Sequence, residues 1–286
     1  MIIVTGASSS PGYKIALKLS YKYDVLAVYN DHKIDVINSL KLDITKEPEK
    51  LILDYEPDLI VHAAAIGNVD FCEENKEVCY DVNVVSLRKL FSKAYRKGTK
   101  IIYISTDYVS DGKKGLYKES DIPQPINYYW LTKFIGEEIA LSNVGAVIRI
   151  AAVYGTGYGR TNFGKFIVEK LSKGEKVNAA YDQYISPTLN TQIGDAVLKL
   201  AEKEFRGVVH ISGPRMSRYD FSLEICKKFG FDASYISPAA IDSFNFKSPR
   251  PKDSSLDNSL GSKLTGLELS DINKSLEIFK GEYYAI

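Results

Sequence analysis

Short apolar segments alternate with amphipathic segments along the first two thirds of the chain. The apolar segments are rich in β-branched residues, which is typical of buried strands, and they lie at residues 1–5, 24–29, 41–44, 59–62, 100–105, 144–150 and 207–211. Apolar residues at helical spacing lie between them, at 13–21, 75–96 and 129–138, and a further helix is expected after Thr45. This alternation predicts an α/β fold with a Rossmann-like, doubly wound parallel sheet.

The pattern changes after Ile150. Residues 154–161 are rich in Gly and Tyr, and the sequence beyond them predicts helices at 162–173, 191–204 and 218–229, an extended segment at 179–187 and an irregular one at 237–257. We therefore expect a dinucleotide-binding domain at 1–153, to which residues 190–206 return, and a smaller α/β substrate-binding region at 154–286.

The first strand and helix are joined by Gly6-Ala7-Ser8-Ser9-Ser10-Pro11-Gly12. In dinucleotide-binding folds, a loop of small residues brings backbone N–H groups at a helix N-terminus close to the pyrophosphate. The outer glycines of the pattern are present, whereas a serine stands at its middle position. The segment is either a cofactor-binding loop, to which Gly6, Ser9, Ser10, Pro11 and Gly12 contribute, or an ordinary strand-to-helix turn.

The end of the second strand would meet the adenosine ribose of such a cofactor. The neutral Asn30 and the basic side chains of His32 and Lys33 favour a 2′-phosphate, and therefore NADPH over NADH, unless His32 and Lys33 are simply solvated loop residues. Asp31 acts in the other direction, because a carboxylate accepts hydrogen bonds from the free 2′-hydroxyl of NADH.

Two further strand ends are candidates for contact with the cofactor. Asp43, followed by Ile44, either hydrogen-bonds the adenine or caps the helix that follows. The small side chains of Ala63, Ala64 and Ala65 would let a cofactor lie close to the backbone.

Tyr129 and Lys133 are four residues apart in Asn127-Tyr128-Tyr129-Trp130-Leu131-Thr132-Lys133, so a helix places both side chains on one face. A phenol has a pKa of about 10, and a nearby cation lowers that pKa towards neutrality. The pair can therefore form a tuned proton donor, although the same spacing also arises by chance in a Tyr- and Lys-rich chain.

The strand at 100–105 ends in Ser105-Thr106-Asp107-Tyr108-Val109-Ser110-Asp111-Gly112. Ligands gather at the carboxyl ends of parallel strands, so the Thr106 hydroxyl is well placed to bind a substrate oxygen. Further along, Gln183 or Tyr184 could face a nucleotide. Arg250 and Lys252 could meet a diphosphate, or lie on a solvated loop.

Composition excludes several classes of protein. The 286 residues carry 37 basic and 36 acidic side chains, mixed along the chain, which argues against a dedicated partner in nucleic acid or a membrane surface. There is no apolar run long enough to span a bilayer and no signal-peptide pattern at the start. Three scattered cysteines do not form a disulfide framework or a metal site, and we expect reduced thiols in a cytoplasmic protein.

These motifs together resemble the extended short-chain dehydrogenase/reductase family and, within it, the dTDP-4-dehydrorhamnose reductases. The resemblance spans nearly the whole chain. It includes Asn83 and the segments 63–65, 105–109 and 129–133, together with Val153-Tyr154-Gly155, Asn162-Phe163, Asp182-Gln183, Pro187-Thr188, His210-Ile211-Ser212-Gly213, Arg250-Pro251 and Leu256-Asp257. The chain departs from the family at Ser9, Trp130, Ser110 and Ala152, where the family usually has Gly, Gly, Phe and Trp.

The resemblance implies reduction of a 4-keto-6-deoxy sugar attached to dTDP, with hydride from NADPH. Tyr129 would donate the proton, Lys133 would lower the tyrosine pKa and bind the nicotinamide ribose, and Thr106 would hold the substrate oxygen. Asp107, Tyr108, Asn162, Gln183 and Arg250 would bind the nucleotide sugar. Some reductases of this type are magnesium-assisted homodimers, but the sequence identifies no carboxylate cluster for a metal.

Two other functions remain open. One is an epimerase or dehydratase that acts on a nucleotide sugar and regenerates its cofactor. The other is a non-catalytic NADP-binding subunit, because the chain also resembles the regulatory β subunit of methionine adenosyltransferase.

Overall fold

The computed structural model describes residues 1–35, 37–109 and 111–285, so Ser110 of the strand-end motif lies outside the described residues. The strands are β1 (Ile2–Thr5), β2 (Val25–Tyr29), β3 (Ser39–Lys41), β4 (Leu59–His62), β5 (Lys100–Thr106), β6 (Ala146–Ile150), β7 (Val153–Tyr154), β8 (Val177–Ala180), β9 (Tyr184–Ile185), β10 (Thr188–Leu189), β11 (Gly207–Ile211), β12 (Met216–Ser217) and β13 (Ile236–Ala239). The α-helices are α1 (Ser10–Ser20), α2 (Lys50–Tyr55), α3 (Val69–Glu74), α4 (Lys76–Tyr80), α5 (Ser86–Lys97), α6 (Tyr128–Ser142), α7 (Phe163–Leu171), α8 (Asn190–Glu202), α9 (Arg218–Phe229), α10 (Ser259–Thr265) and α11 (Ile272–Tyr284).

Seven parallel strands form the central sheet in the order β11-β6-β5-β4-β1-β2-β3. The chain turns from one side of the sheet to the other between β1 and β4, and loops at such a switch point diverge and leave a crevice at the carboxyl ends of the strands. The predicted Rossmann-like fold is therefore confirmed, and the crevice is the expected place for a ligand.

Each face of the sheet is covered by helices because both faces of the inner strands are largely apolar. On one face, Ile15 of α1 and Ile193 of α8 belong to the same buried cluster as Val4 of β1. On the other face, Leu90 of α5 and Ala140 of α6 pack in a second cluster. Helix α8 thus covers the sheet, although it follows residues 154–161 in the sequence.

A third apolar cluster lies in the C-terminal part of the chain. It joins α7, α9 and α11 to β8 and β13, with the fully buried Tyr154, Phe221 and Phe279 at its centre. The prediction of an irregular segment at 237–257 was wrong at its start, because β13 pairs in parallel with β8. This pairing joins residues far apart in the sequence, which leaves no local signal.

Several predicted boundaries shift for identifiable reasons. Helix α1 begins three residues earlier than expected, because the Ser9 side chain accepts a hydrogen bond from the Gly12 N–H and caps it. The expected helix at 75–96 is interrupted by a π-helical turn at Asp81–Val85, and α3 precedes it. Among the described residues, no helix is both long and apolar enough to cross a membrane.

The expectation of three reduced cysteines was wrong. Cys72 of α3 and Cys79 of α4 form a disulfide, and Cys226 is the buried free thiol. The helical conformation is interrupted at Asn75, between α3 and α4, and the chain changes direction there. The Cα atoms of Cys72 and Cys79 are therefore 5.3 Å apart. The sequence spacing alone does not reveal that break.

Candidate active site

The glycine-rich loop forms a tight turn against the end of β4. Gly6 has a φ of +66°, and a Cβ on it would lie 2.5 Å from the Ala64 backbone, while a Cβ on Gly12 would lie 2.3 Å from the Gly6 carbonyl oxygen. Both positions therefore require glycine. Ser9, at the middle position, occupies the Gly12 N–H at 3.1 Å, so this serine completes the helix cap itself.

A cavity of about 570 Å³ opens beside this loop. It is lined by expected cofactor residues from four strand ends, namely Gly6, Ser9, Asn30, His32, Asp43, Ile44, Ala63, Ala64 and Ala65. The other expected residues, Ser10, Pro11 and Gly12, form the first turn of α1. The volume suits a small-molecule site, and the required glycines and alanines leave the backbone accessible at the crevice.

Two charged side chains near the strand ends where adenosine is expected, Asp43 and Lys33, form hydrogen bonds or ion pairs with neighbouring residues. Asp43 Oδ1 accepts hydrogen bonds from the Thr45 N–H at 3.0 Å and the Thr45 hydroxyl at 2.7 Å, and these bonds lower the Asp43 pKa. Lys33 pairs with Asp35 at 2.8 Å, with both side chains largely exposed. Asn30, Asp31 and His32 line the cavity, whereas Lys33 does not.

Tyr129 and Lys133 both lie on α6, whose first turn is capped by Asn127 through the Trp130 N–H at 3.1 Å. Lys133 is buried, donates to the Ile104 carbonyl oxygen at 2.8 Å and lies over the Tyr103 ring at 4.1 Å. Burial lowers the pKa of Lys133 to about 7, and the Glu137 carboxylate acts in the opposite direction.

The Tyr129 pKa differs in direction from the sequence-based expectation. Burial raises the pKa of the phenol well above its ordinary value, and the nearby Asp107 charge adds to this, while the hydrogen bond between Tyr129 and Thr106 lowers it. Desolvation exceeds any attraction between the phenolate and a cation. Tyr129 is therefore held in its protonated form at neutral pH.

Thr106, the last residue of β5, and Asp107, which follows it, line a small cavity of about 220 Å³, and Tyr129 lines the same cavity. The Thr106 hydroxyl donates to Asp107 Oδ1 at 3.0 Å, and the Ser254 hydroxyl donates to Asp107 Oδ2 at 2.5 Å. Burial raises the pKa of Asp107 to about 6, although both hydrogen bonds favour the carboxylate. A protonated phenol, a hydroxyl and a buried carboxyl group thus converge in one small space.

A third cavity, of about 290 Å³, extends from Tyr108 between aromatic and basic side chains. The expected Gln183 and Arg250 line it, together with Arg218, Phe163, Phe244 and Phe246. Arg218 lines both this cavity and the small one beside Tyr129, and it donates to the Gln183 Oε1 atom at 2.6 Å. Arg250 pairs with Asp70 at 3.0 Å and lies over the Phe246 ring at 4.9 Å.

Asn162 has a different place from the one expected. Its side chain caps α7 by accepting from the Lys165 N–H at 3.0 Å, and it donates to the Gly155 carbonyl oxygen at 2.8 Å. It is not among the residues that line these three cavities. Asn83 of the family resemblance holds neighbouring backbone, because its amide forms two hydrogen bonds with the Ile66 backbone.

Sequence reasoning missed Arg218 and Ser254, since neither stands in a recognisable motif. Arg218 is the first residue of α9, and Ser254 reaches Asp107 from a segment 147 positions away. Within the described part of the chain, no group of three or more His, Cys, Asp or Glu residues is arranged to hold a metal ion.

Comparison with known proteins adds to this geometry. The model of the family described as the RmlD substrate binding domain matches residues 1–284. The dTDP-4-dehydrorhamnose reductase of Aggregatibacter actinomycetemcomitans is 29% identical, over 96% of this chain and 97% of the relative. The crystal structure of dTDP-4-dehydrorhamnose reductase from Bacillus anthracis in complex with NADP is 27% identical, with a TM-score of 0.87 and 98% of each chain covered.

The chain is also similar to the beta subunit of methionine adenosyltransferase 2 from Rattus norvegicus, which is 34% identical over 72% of this chain and 65% of the relative. The resemblance that the sequence motifs indicated is confirmed, because the family model and solved relatives cover the chain almost from end to end. The fold, the crevice and these matches together show that this protein belongs to the RmlD substrate binding domain family.

Proposed function

We propose that this protein is an NADPH-dependent reductase that converts the 4-keto group of dTDP-4-dehydro-6-deoxy-L-mannose into the hydroxyl group of dTDP-L-rhamnose. The convergence of Thr106, Asp107 and Tyr129 in one small cavity carries the proposal. That cavity lies at the carboxyl end of β5, on the same edge of the sheet as the glycine-rich loop. The names of the reductases from Aggregatibacter actinomycetemcomitans and Bacillus anthracis support the substrate class.

The cofactor proposed is NADP, held in the cavity of about 570 Å³. Gly6 and Gly12 have no room for a Cβ atom, so no side chain at these two positions covers the loop backbone that a diphosphate would approach. Asn30 and the exposed His32 suit a 2′-phosphate better than an acidic strand end would. The NADP complex of the relative from Bacillus anthracis supports this choice.

Tyr129 is proposed to give its proton to the substrate oxygen. Bound NADPH supplies the hydride in this class of reaction. The raised pKa of Tyr129 keeps the phenol protonated before reaction. The Thr106 hydroxyl, which donates to Asp107 in the free protein, would turn to donate to the substrate oxygen. Lys133 donates a hydrogen bond to the Ile104 carbonyl oxygen, which orients its ammonium group. It would bind the nicotinamide ribose and supply positive charge as the phenolate forms.

The nucleotide sugar is proposed to extend from Tyr129 into the cavity between Tyr108 and Arg250. Arg218 and Arg250 would bind its diphosphate, because guanidinium groups match phosphate geometry. Phe244 and Phe246 offer flat apolar surfaces for the base. Ala152 lines the sugar cavity where the family usually has Trp, so this position would influence which sugar is accepted.

We propose that the two ligands are bound by different parts of the chain. Residues 1–153 and 190–206 would hold the dinucleotide, and residues 154–286 would supply most of the nucleotide-sugar site. The packing of α8 against α1 in one buried cluster supports assigning 190–206 to the first part.

The test is nicotinamide absorbance during incubation with dTDP-4-keto-6-deoxy-L-lyxo-hexose, with NADPH and NADH in parallel. We expect fast oxidation, with NADPH preferred. Tyr129→Phe should lower kcat by about 100-fold or more, because no other group replaces the phenol proton. Tyr128→Phe, one residue earlier on the same helix, is the matched control and should leave kcat unchanged; equal turnover by both variants would contradict the role of Tyr129.

A second candidate is a non-catalytic subunit, favoured by the 34% identity with the beta subunit of methionine adenosyltransferase 2. Under this alternative the protein binds a nicotinamide nucleotide and a partner enzyme without turnover. Absence of cofactor oxidation, together with stable co-elution with a methionine adenosyltransferase, would favour it. The convergence of Thr106, Asp107 and Tyr129 favours the reductase.

A further inference from the structure

Arg160 lies in the loop between β7 and α7, in the part of the chain that the sequence assigns to the substrate. Its side chain nevertheless lines the large cavity formed by the glycine-rich loop and the ends of the neighbouring strands. Among the described residues, its guanidinium group forms no ion pair with a carboxylate, and it is exposed. A free cation at the wall of a cavity is available for a ligand.

The loop is held against the first turn of α1 by close packing. A Cβ on Gly159 would lie 2.7 Å from the Ser10 backbone nitrogen, and a Cβ on Gly157 would lie 2.7 Å from the Tyr13 ring. The Asn190 amide donates to both the Thr156 carbonyl oxygen, at 2.8 Å, and the Ser10 hydroxyl, at 3.0 Å. The backbone that leads into Arg160 is therefore held next to the helix N-terminus, where anions bind.

The other charged side chains that line this cavity would not neutralise a bound diphosphate. Asp31 and Asp43 line it at the adenosine end, and His32 is the other basic side chain of the lining. Ser9 already uses the Gly12 N–H for the helix cap. A dinucleotide diphosphate would thus meet few free donors at the start of α1, apart from a cation supplied by the loop.

Building on the proposed function, we propose that Arg160 binds the diphosphate of the nicotinamide cofactor and so makes cofactor binding depend on the loop between β7 and α7. The bridging diphosphate is favoured over the 2′-phosphate because Gly159 packs on Ser9 and Ser10 rather than on the strand end at Asn30. The Arg160 charge also acts on the Tyr129 phenol, lowering its pKa.

The experiment measures dissociation constants of NADPH and NADH for the full chain by nucleotide fluorescence, without substrate. Arg160→Ala should weaken both nucleotides by the same factor, about tenfold or more, since a hydrogen bond to a charged group is lost. Arg160→Lys should recover part of the affinity. Arg96→Ala, which removes an exposed arginine from α5, is the control and should change neither constant.

Three outcomes would overturn the proposal. A loss confined to NADPH would assign Arg160 to the 2′-phosphate. In a separate titration with dTDP, a loss of dTDP affinity with unchanged NADPH and NADH affinities would assign Arg160 to the substrate. Unchanged affinities throughout would show that Arg160 contacts no phosphate. If the wild-type protein binds both nucleotides but reduces no keto sugar, the proposed function fails while the role of Arg160 is still decided by the same titrations.

Discussion

Glu137 and Arg149 form a buried ion pair directly behind the candidate catalytic lysine. Glu137 Oε1 accepts from Arg149 Nε at 3.0 Å and Glu137 Oε2 accepts from Nη2 at 2.7 Å, and the side chains are 1% and 5% exposed. The His210 ring lies 3.3 Å from Arg149 Nη1, and burial lowers the pKa of His210 to about 3. A neutral histidine cannot replace the carboxylate.

Glu137→Gln preserves the side-chain volume but leaves the Arg149 charge uncompensated. Breaking a buried pair in this way costs about 3–5 kcal/mol, a large part of a typical total of about 5–15 kcal/mol. The measurement is urea unfolding followed by far-ultraviolet circular dichroism, with the free energy taken from midpoint and slope. Glu204→Gln, which removes an exposed partner of Lys100, should leave the free energy of unfolding nearly unchanged.

Two results would refute this reasoning. One is a loss below about 1 kcal/mol for Glu137→Gln, the level of an exposed pair. The other is a double variant, Glu137→Met with Arg149→Met, that is no more stable than Glu137→Gln, because removing both charges should restore most of the free energy.

The same substitution has a second, independent consequence. The Glu137 charge raises the pKa of Lys133 against the effect of burial, so Glu137→Gln should lower that pKa. If protonated Lys133 supports the proposed reduction, activity should begin to fall at a lower pH in the variant. A pH profile of kcat that coincides with the wild-type profile would contradict this coupling.

Two further predictions concern groups outside that pair. The disulfide closes a loop of eight residues. Because the loss of this cross-link increases the chain entropy of the unfolded state, the Cys72→Ser, Cys79→Ser double variant should lose about 2.5 kcal/mol of unfolding free energy. Denatured, unreduced wild-type protein should titrate one thiol; three thiols would disprove the disulfide. Burial raises the Asp107 pKa from 3.8 to about 6, so this group holds more proton in the folded state between these values, and its contribution to stability falls as pH rises through them. Asp107→Asn should abolish that fall, about 1.4 kcal/mol per pH unit, and parallel wild-type and variant stability curves in urea unfolding at several pH values would contradict it.

Much of the architecture follows from local regularities of the chain. Apolar β-branched runs predict the strands of the central sheet, and strand-helix alternation predicts their parallel arrangement. The spacing of Tyr129 and Lys133 places them on one face of α6 because helix geometry repeats every 3.6 residues. Gly6, Thr106 and Asp107 fall at strand ends, so their meeting at one edge of a parallel sheet is also readable from the sequence.

Other features depend on contacts between distant segments, for which periodicity carries no signal. Ser254 reaches Asp107, and β13 pairs with β8. Cys72 and Cys79 are close in the sequence, but they meet only because the helix ends at Asn75. The direction of the Tyr129 pKa shift likewise depends on desolvation, which neighbouring residues cannot reveal. Local sequence specifies which elements form and which side chains share a face, whereas loop closure and packing determine which loops meet and which charges lose their water.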